Sequence, residues 1–425
     1  MYRLQVKLKQ HTPLIHFQWN QKGATLRASE LKPKLDKFII QRSFNNDFES
    51  CKCFLVGYDR RCQEKIRRKF EEEGFRALNY KVRVEPQGEK QEIKDDASLK
   101  MYFANIGNDA EKYGVMYPDG VCLQFESIFD SVIQLLKEHL AAFLMVTNFG
   151  ARQSKGYGSF YIDTDVHKGK PLNVAVNLRY RFNLEGDLGY VFTTLNDFYA
   201  VLRSGINDQK GLYIKSALFK YLKDQLHEQW DKKTIKQHFL TEREKILERE
   251  AHPESEAIEY ETGISEPPEQ EKSFSLKGRT VECLLDNSHY LTKELLGLST
   301  IEKWKVKTDN NGGFASFKLT RESDEIERFQ SPLFFKLIKN EEGYTIYFEP
   351  RPIPEQMTNQ LFLIEGEGRG KFAIRTRSSF DIQDYLDYVF SSVSLAGLCC
   401  KKESREANEK YSTLDNIFNQ LRNNL

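Results

Sequence analysis

The chain has almost no surplus of charge. Its 63 Lys and Arg residues stand against 62 Asp and Glu, a formal net charge of +1 over 425 residues. That balance excludes a whole-protein field that would gather polyanions, so any nucleic-acid site must be a local patch. Long apolar runs are missing too. None reaches the ~20 residues that a bilayer-crossing helix needs, and no charged segment followed by an apolar one opens the sequence. No membrane contact is expected, and a cytoplasmic location is. Cysteine is sparse and odd in number, seven in all, which argues against the paired framework of a secreted disulfide scaffold. Cys51, Cys53 and Cys62 cluster loosely but lack the paired C-x-x-C knuckles of a zinc site. Plain reduced thiols are expected there, and neither a metal nor a cofactor. The sequence also lacks a Gly-Lys-Ser/Thr phosphate loop, and no glycine fingerprint opens a helix as dinucleotide binding requires.

What the chain does have is a glycine-rich turn. Asn148-Phe149-Gly150-Ala151-Arg152-Gln153-Ser154-Lys155-Gly156-Tyr157-Gly158-Ser159-Phe160 places three glycines and two cations between a long apolar helix pattern and a strand pattern. Glycine lets a backbone bend sharply and approach a ligand closely. N–H groups exposed in such a turn make an anion-binding concavity. Arg152 and Lys155 add positive charge, and Tyr157 offers a ring for a base. The combination suits a sugar-phosphate backbone, although the same spacing also serves a plain helix-to-strand turn.

The periodicities supply an architecture. Tyr2 to Lys9 alternates as a half-buried strand, with Leu4, Val6 and Leu8 on one face. A loop over 15–23 carries His16, Phe17, Trp19 and Lys22. Leu26 to Ile40 has helical spacing, but Pro33 belongs in a first turn, so the helix is expected to begin near Leu31. Asn79 to Glu85 reads as a second strand. Gly114 to Gln124 reads as a hairpin turning at Pro118-Asp119-Gly120. Phe125 to Val146 reads as an amphipathic helix, and Ser159 to Asp163 as a strand. The order strand, helix, strand, strand, helix, strand is the split βαβ, ferredoxin-like arrangement.

Further strands are expected over 173–181 and 189–194. A largely helical stretch should follow over 198–239, with a basic-aromatic series from Lys215 to Lys236. Residues 241–272 read as a charged linker. Strands return over 278–285, 314–320, 332–338 and 344–348, with a helix over 381–389 and a polar, helix-prone tail from Lys401. The fold class expected is α+β, with two ferredoxin-like domains and a helical insertion between them. The divisions are 1–170, 171–250, a linker at 251–273, and 274–425.

Two stretches carry a family resemblance. Thr12-Pro13-Leu14-Ile15-His16-Phe17, followed by Leu26-Arg27-Ala28-Ser29-Glu30-Leu31-Lys32, resembles the RAMP superfamily of CRISPR effector subunits. In that pattern a first strand ends in Thr-Pro, and a loop leads to a helix start rich in small and basic residues. The glycine loop is similar to the Gly-rich loop of the same family. Arg328-Phe329-Gln330-Ser331-Pro332-Leu333-Phe334-Phe335-Lys336-Leu337 looks like a strand in the second RAMP domain of the first-numbered subunit of the type III-B (Cmr) effector complex.

The resemblance implies two RRM-like domains, guide or target RNA as ligand, and other RAMP subunits of a multi-protein ribonucleoprotein in antiviral defence as partners. It implies RNA contacts at His16, Phe17, Trp19, Lys22, Arg27, Ser29, Lys32, Gly150, Arg152, Ser154, Lys155, Gly156, Tyr157 and Gly158. RAMPs that cut target RNA carry an Asp on an exposed loop after the first helix. Asp36, Asp47 and Asp59 lie in that region, and none sits in a matching motif.

His16 invites a catalytic reading, since a histidine beside an RNA groove can act as general base on a ribose hydroxyl. No second catalytic group is fixed by spacing. The expectation is a non-catalytic RNA-binding subunit. Two alternatives stand beside it: a metal-independent guide-RNA-processing endoribonuclease using His16, and an assembly protein with little RNA contact.

Overall fold

A computed structural model describes the chain except for residues 17, 100, 102–112, 164–177, 209–210, 229–235, 237, 252–272, 277, 283–289, 310–312, 400–407 and 425. The chain forms two compact units. The first contains residues 1–195 and 334–349, and the second residues 196–333 and 350–423.

The first unit opens with strand β1 (Tyr2–Gln10) and helix α1 (Ala28–Phe44). Short helices α2 (Phe48–Cys51) and α3 (Gln63–Glu71) then precede β2 (Lys81–Pro86). Strands β3 (Gln91–Lys94), β4 (Tyr113–Met116) and β5 (Val121–Ser127) lead to helix α4 (Asp130–Met145) and β6 (Phe160–Ile162). The main sheet runs β2-β5-β1-β6, antiparallel throughout. This is the split βαβ order, with the first and third strands of the motif adjacent at the centre. Val6 faces Leu123 and Leu8 faces Val121 in that central pair. Alternation then puts one side of each strand against α1 and α4, whose Leu31, Leu35 and Ile39 meet Leu136, Leu140 and Phe143 in one buried cluster.

Several sequence boundaries shift for physical reasons. Helix α1 starts at Ala28, with Pro33 inside it. The hydrogen bond that Pro33 forfeits is to the carbonyl of Ser29, an exposed residue that water can satisfy. Residues 125–127 belong to β5, and α4 begins only at Asp130. The Pro118-Asp119-Gly120 turn is present, with Gly120 N–H bonded to Tyr117 C=O at 2.9 Å. Its two arms do not pair, because β4 pairs with β3 and β5 joins the main sheet.

Strand β7 (Tyr180–Glu185) pairs with the second arm of the hairpin Leu333–Lys339/Gly343–Pro350, and 334–349 of that hairpin belong to the first unit rather than to a separate C-terminal domain. The stretch expected as a strand at 189–194 is helical, within Leu188–Arg203. Val191, Phe192, Leu195, Phe198, Val201 and Leu202 recur at helical intervals, and all are buried.

The second unit carries a four-stranded sheet of Ile301–Lys307, Phe314–Glu322, Leu361–Gly366 and Gly370–Arg375. Its strand order follows the chain, unlike the interleaved order of the first sheet. Trp304, Val306, Phe317, Leu319, Phe362 and Ile374 form its core. Beside that core lies a buried ion cluster. Glu294 is fully buried and meets Arg203 at 3.0 Å, Arg321 at 3.3 Å and Lys293 at 3.4 Å. Glu302 meets Lys293 at 2.9 Å and Arg321 at 3.1 Å. Burial alone would raise both carboxyls, but these cations hold them below the usual carboxylate range.

The charged stretch expected as a linker begins as a helix, Glu242–Ala251. Thr241 and Glu244 cap it reciprocally, and Arg369 grips Glu244 at 2.7 and 2.8 Å. Residues 252–272 lie outside the described residues. The helical stretch expected over 198–239 is broken by the short strands Ile206–Asn207 and Tyr213–Ile214. A helix at Ala217–Gln225 carries Lys220 and Lys223 of the basic-aromatic series. Trp230, Lys232 and Lys233 fall outside the described residues.

Candidate nucleic-acid interface

The end of β1 and the glycine loop are one hydrogen-bonded piece. Thr12 Oγ1 donates to Gly156 C=O at 2.7 Å and accepts from Ser159 N–H at 2.9 Å. Gly158 N–H donates to Pro13 C=O at 2.9 Å, and Ala151 N–H to Ile15 C=O at 2.8 Å. Helix α1 joins through Glu30, whose Oε1 accepts from Gly150 N–H at 2.9 Å and from Lys34 Nζ at 2.8 Å. Lys34 also reaches Asn148 C=O and the Gln153 side chain. The two stretches that carried the family resemblance are therefore neighbours in space.

The glycines are needed by the fold itself. Gly150, Gly156 and Gly158 have φ of +76°, +91° and +67°, a region that L side chains rarely adopt. A Cβ on Gly158 would lie 1.9 Å from Phe149 O, and one on Gly156 would lie 2.4 Å from Leu337 Cδ1. Arg152 also takes a left-handed φ of +56°. Beneath the loop, the fully buried Lys336 donates to Phe160 C=O at 2.8 Å, Thr147 C=O at 3.0 Å and Asn148 Oδ1 at 3.3 Å. Three acceptors match the three protons of an ammonium, while burial pulls its pKa well below the ordinary lysine value. His11 nearby is buried, and desolvation with the Lys336 charge takes its pKa down to about 3.

The ring of Tyr157 is taken up by the fold. Tyr157 is 1% exposed. Its ring stacks on Phe192 at 4.1 Å, and its hydroxyl bonds to Leu99 C=O, so no ring face is open to a base. Trp19 is half-buried against Tyr113, with ring centroids 4.7 Å apart. Phe17 lies outside the described residues. Ser154 is buried, and Arg152 and Lys155 are half-buried, with the Arg152 guanidinium 5.8 Å from the Tyr157 ring. Lys32 is likewise held by the fold. It bonds Asp36 and Leu78 C=O at 2.8 Å each and lies 3.6 Å over the Tyr80 ring. Asp36 is thus a buried helix residue, with no place on an exposed loop.

His16, Lys22, Arg27 and Ser29 come together. They line an open cleft of about 600 Å³ whose far wall is Val82, Arg83 and Val84 of β2. Lys22, Arg27 and Ser29 are exposed. His16 is buried, its Nδ1 accepting from Gln18 N–H at 3.1 Å. Desolvation and then Arg27 lower its pKa, so the ring is neutral near pH 7 with the remaining proton on Nε2. Among the described residues, the cleft lining holds no Asp, Glu, Tyr or second His. It offers a cationic rim and hydrogen-bonding groups.

Thr25 and Arg83 also line the cleft, and Glu30 ties helix α1 to the glycine loop. Glu30, three residues after Arg27, carried a visible signal as an acidic first-turn position. Arg83 could be found only from the sheet order that brings β2 to the cleft. Among the described residues, no group of three or more His, Cys, Asp or Glu side chains is placed to hold a metal, and no helix is long and apolar enough to cross a membrane. Cys51 is buried, whereas Cys53 and Cys62 are exposed.

A ferredoxin-type sheet with a glycine loop docked on the end of its first strand defines the class of RAMP proteins. The comparisons name the member. The model of the Cmr1 N-terminal domain matches residues 1–206, and that of the Cmr1 C-terminal domain matches 213–423. The chain belongs to the Cmr1 family of the type III-B CRISPR effector complex, a multi-protein assembly. Among solved structures, it is similar to Cmr1 from Pyrococcus furiosus in its apo form. The two share 13% identity over 84% of this chain and 90% of that one, with a TM-score of 0.33. A search of curated proteins found none that matches.

Proposed function

We propose that this chain is a non-catalytic subunit that holds single-stranded guide or target RNA on the face formed by its N-terminal segment and glycine loop. The observation that carries this reading is the hydrogen-bonded union of the two motifs beside a cleft rimmed by Lys22, Arg27 and Arg83. Cations and backbone N–H groups supply phosphate affinity without reading sequence. Other subunits of the effector are the protein partners of this reading.

The test is fluorescence anisotropy of a labelled single-stranded RNA against the full chain at several salt concentrations. Each phosphate contact contributes about 0.7 to the slope of log K against log salt. Lys22→Ala with Arg27→Ala, the exposed cations of the cleft rim, should weaken binding to all sequences and flatten the slope by about 1 to 1.5. Lys137→Ala, an exposed change on α4, should leave both unaltered. If the intact chain fails to bind RNA, or the double variant binds with the original slope, the reading is wrong.

A further inference from the structure

The cleft has an unusual floor. Among the described residues, neither His16 Nε2 nor Thr25 Oγ1 has a hydrogen-bond partner, although His16 is 8% exposed and Thr25 is 6% exposed. Both residues line the same cleft. A buried polar atom left unsatisfied is a standing cost that a ligand can relieve. The two differ in chemistry. With Nδ1 occupied by the Gln18 N–H, Nε2 carries the ring proton and is a donor, whereas the Thr25 hydroxyl either donates or accepts. Leu26 and Val82 give the cleft apolar surface beside them.

The rim is built for an anion. Helix α1 spans 17 residues, and its N-cap, Arg27, makes no side-chain capping bond. The N–H groups of Ala28 and Ser29 thus open the helix beside the cleft without a side-chain cap, at the positive end of its dipole. Lys22 is exposed there, Arg27 leans on Gln18 at 3.4 Å, and the Arg83 side chain is 75% exposed across the cleft. Phosphate chemistry at the helix start and base-edge chemistry on the floor lie within one cavity of about 600 Å³.

We infer that this cleft is a pocket for a single unstacked nucleotide, with its phosphate on the start of α1 and the edge of its base on His16 and Thr25. Resting on the RNA-binding reading above, this adds a base preference at one position of an otherwise sequence-tolerant strand. His16 Nε2 and Thr25 Oγ1 have no exposed surface without a bound base, so a base can reach them only by moving the turn over residues 18–24, closed by Gln21 N–H to Gln18 C=O and Ala24 N–H to Gln21 C=O.

The experiment measures binding of the full chain to nine-nucleotide homopolymers of A, C and U and to an abasic strand of equal length. The intact chain should separate the three bases by at least about five-fold, the low end of discrimination from a base-edge contact. The abasic strand should bind more weakly than the best of them. Thr25→Val, which keeps shape and removes the hydroxyl, should bring the three within about two-fold, and Thr25→Ser should restore the spread. Arg27→Gln should weaken all strands by a similar factor and leave the spread intact. If the intact chain binds all strands alike, or Thr25→Val keeps the spread, the pocket is refuted while the RNA-binding reading stands. If no strand binds, both fall.

Discussion

Replacing Gly158 by alanine tests whether the glycine loop is docked as described. Gly158 has a φ of +67°, and an added Cβ would meet the carbonyl oxygen of Phe149 at 1.9 Å. The left-handed backbone costs an alanine about 1–2 kcal/mol. The clash falls on backbone rather than on a yielding side chain. Phe149 is tied by its N–H to Gly158 C=O at 3.0 Å, and Gly158 N–H is tied to Pro13 at 2.9 Å. Moving that pair should add a further ~1–3 kcal/mol, as other overpacked sites do. Reduced freedom of the unfolded chain returns about 0.4–1 kcal/mol, leaving a net destabilisation of about 1–4.6 kcal/mol, centred near 3. Gly23 is the internal control, since its φ is +74° and nothing lies within 4 Å of its added Cβ. Gly23→Ala should therefore cost no more than about 1.6 kcal/mol. For a folded unit of this size, the midpoints of thermal unfolding should fall by about 2–18 °C, centred near 8 °C, for Gly158→Ala and by no more than about 6 °C, centred near 2 °C, for Gly23→Ala. Equal, small shifts would show that the loop is not seated on Phe149 and Pro13.

Two further outcomes follow from the geometry. The Arg369 grip and the Thr241 capping bonds hold the Glu244 carboxyl down to about 2, against the burial that raises it. A depressed folded pKa means that this contribution is present above the unfolded value near 4.5 and is lost as pH falls toward 2. Glu244→Gln should lower the unfolding midpoint at pH 7, and the gap to the parent should narrow steadily between pH 4.5 and 2; a gap that stays constant would remove Glu244 as its source. The purified chain should not cleave single-stranded RNA, with or without divalent metal, because among the described residues the His16 cleft lining holds no Asp, Glu, Tyr or second His; specific cleavage abolished by His16→Ala would establish the endonuclease alternative instead.

The first unit was largely legible in the sequence because its signals are local and agree with one another. The period-2 pattern of Tyr2 to Lys9 and the apolar faces of the two long helices share one solution, the split βαβ sheet. Legibility ended where a partner strand comes from far along the chain. Nothing near Tyr180–Glu185 announces that it pairs with Gly343–Pro350, a pairing that groups residues 334–349 with the first unit. The mistaken strand at 189–194 was a period error, since its apolar positions fit a helix once Phe198 and Val201 are included.

At the site, the sequence identified the loop but not the use of its parts. Glycine spacing reads alike for a ligand cradle and for a close backbone crossing, and only the approach of Phe149 O and Leu337 separates them. Tyr157 looked like a free ring because its stacking partner, Phe192, lies 35 positions on. Thr25 carries no motif at all, and its interest arises from burial without a partner.

The most direct test of the RNA-binding account is photo-crosslinking of the full chain to single-stranded RNA bearing 4-thiouridine, with the attachment sites identified by mass spectrometry. The account predicts crosslinks concentrated in peptides covering residues 16–29 and 150–158. Crosslinks confined to the second unit, or none above those of a serum albumin control, would contradict it.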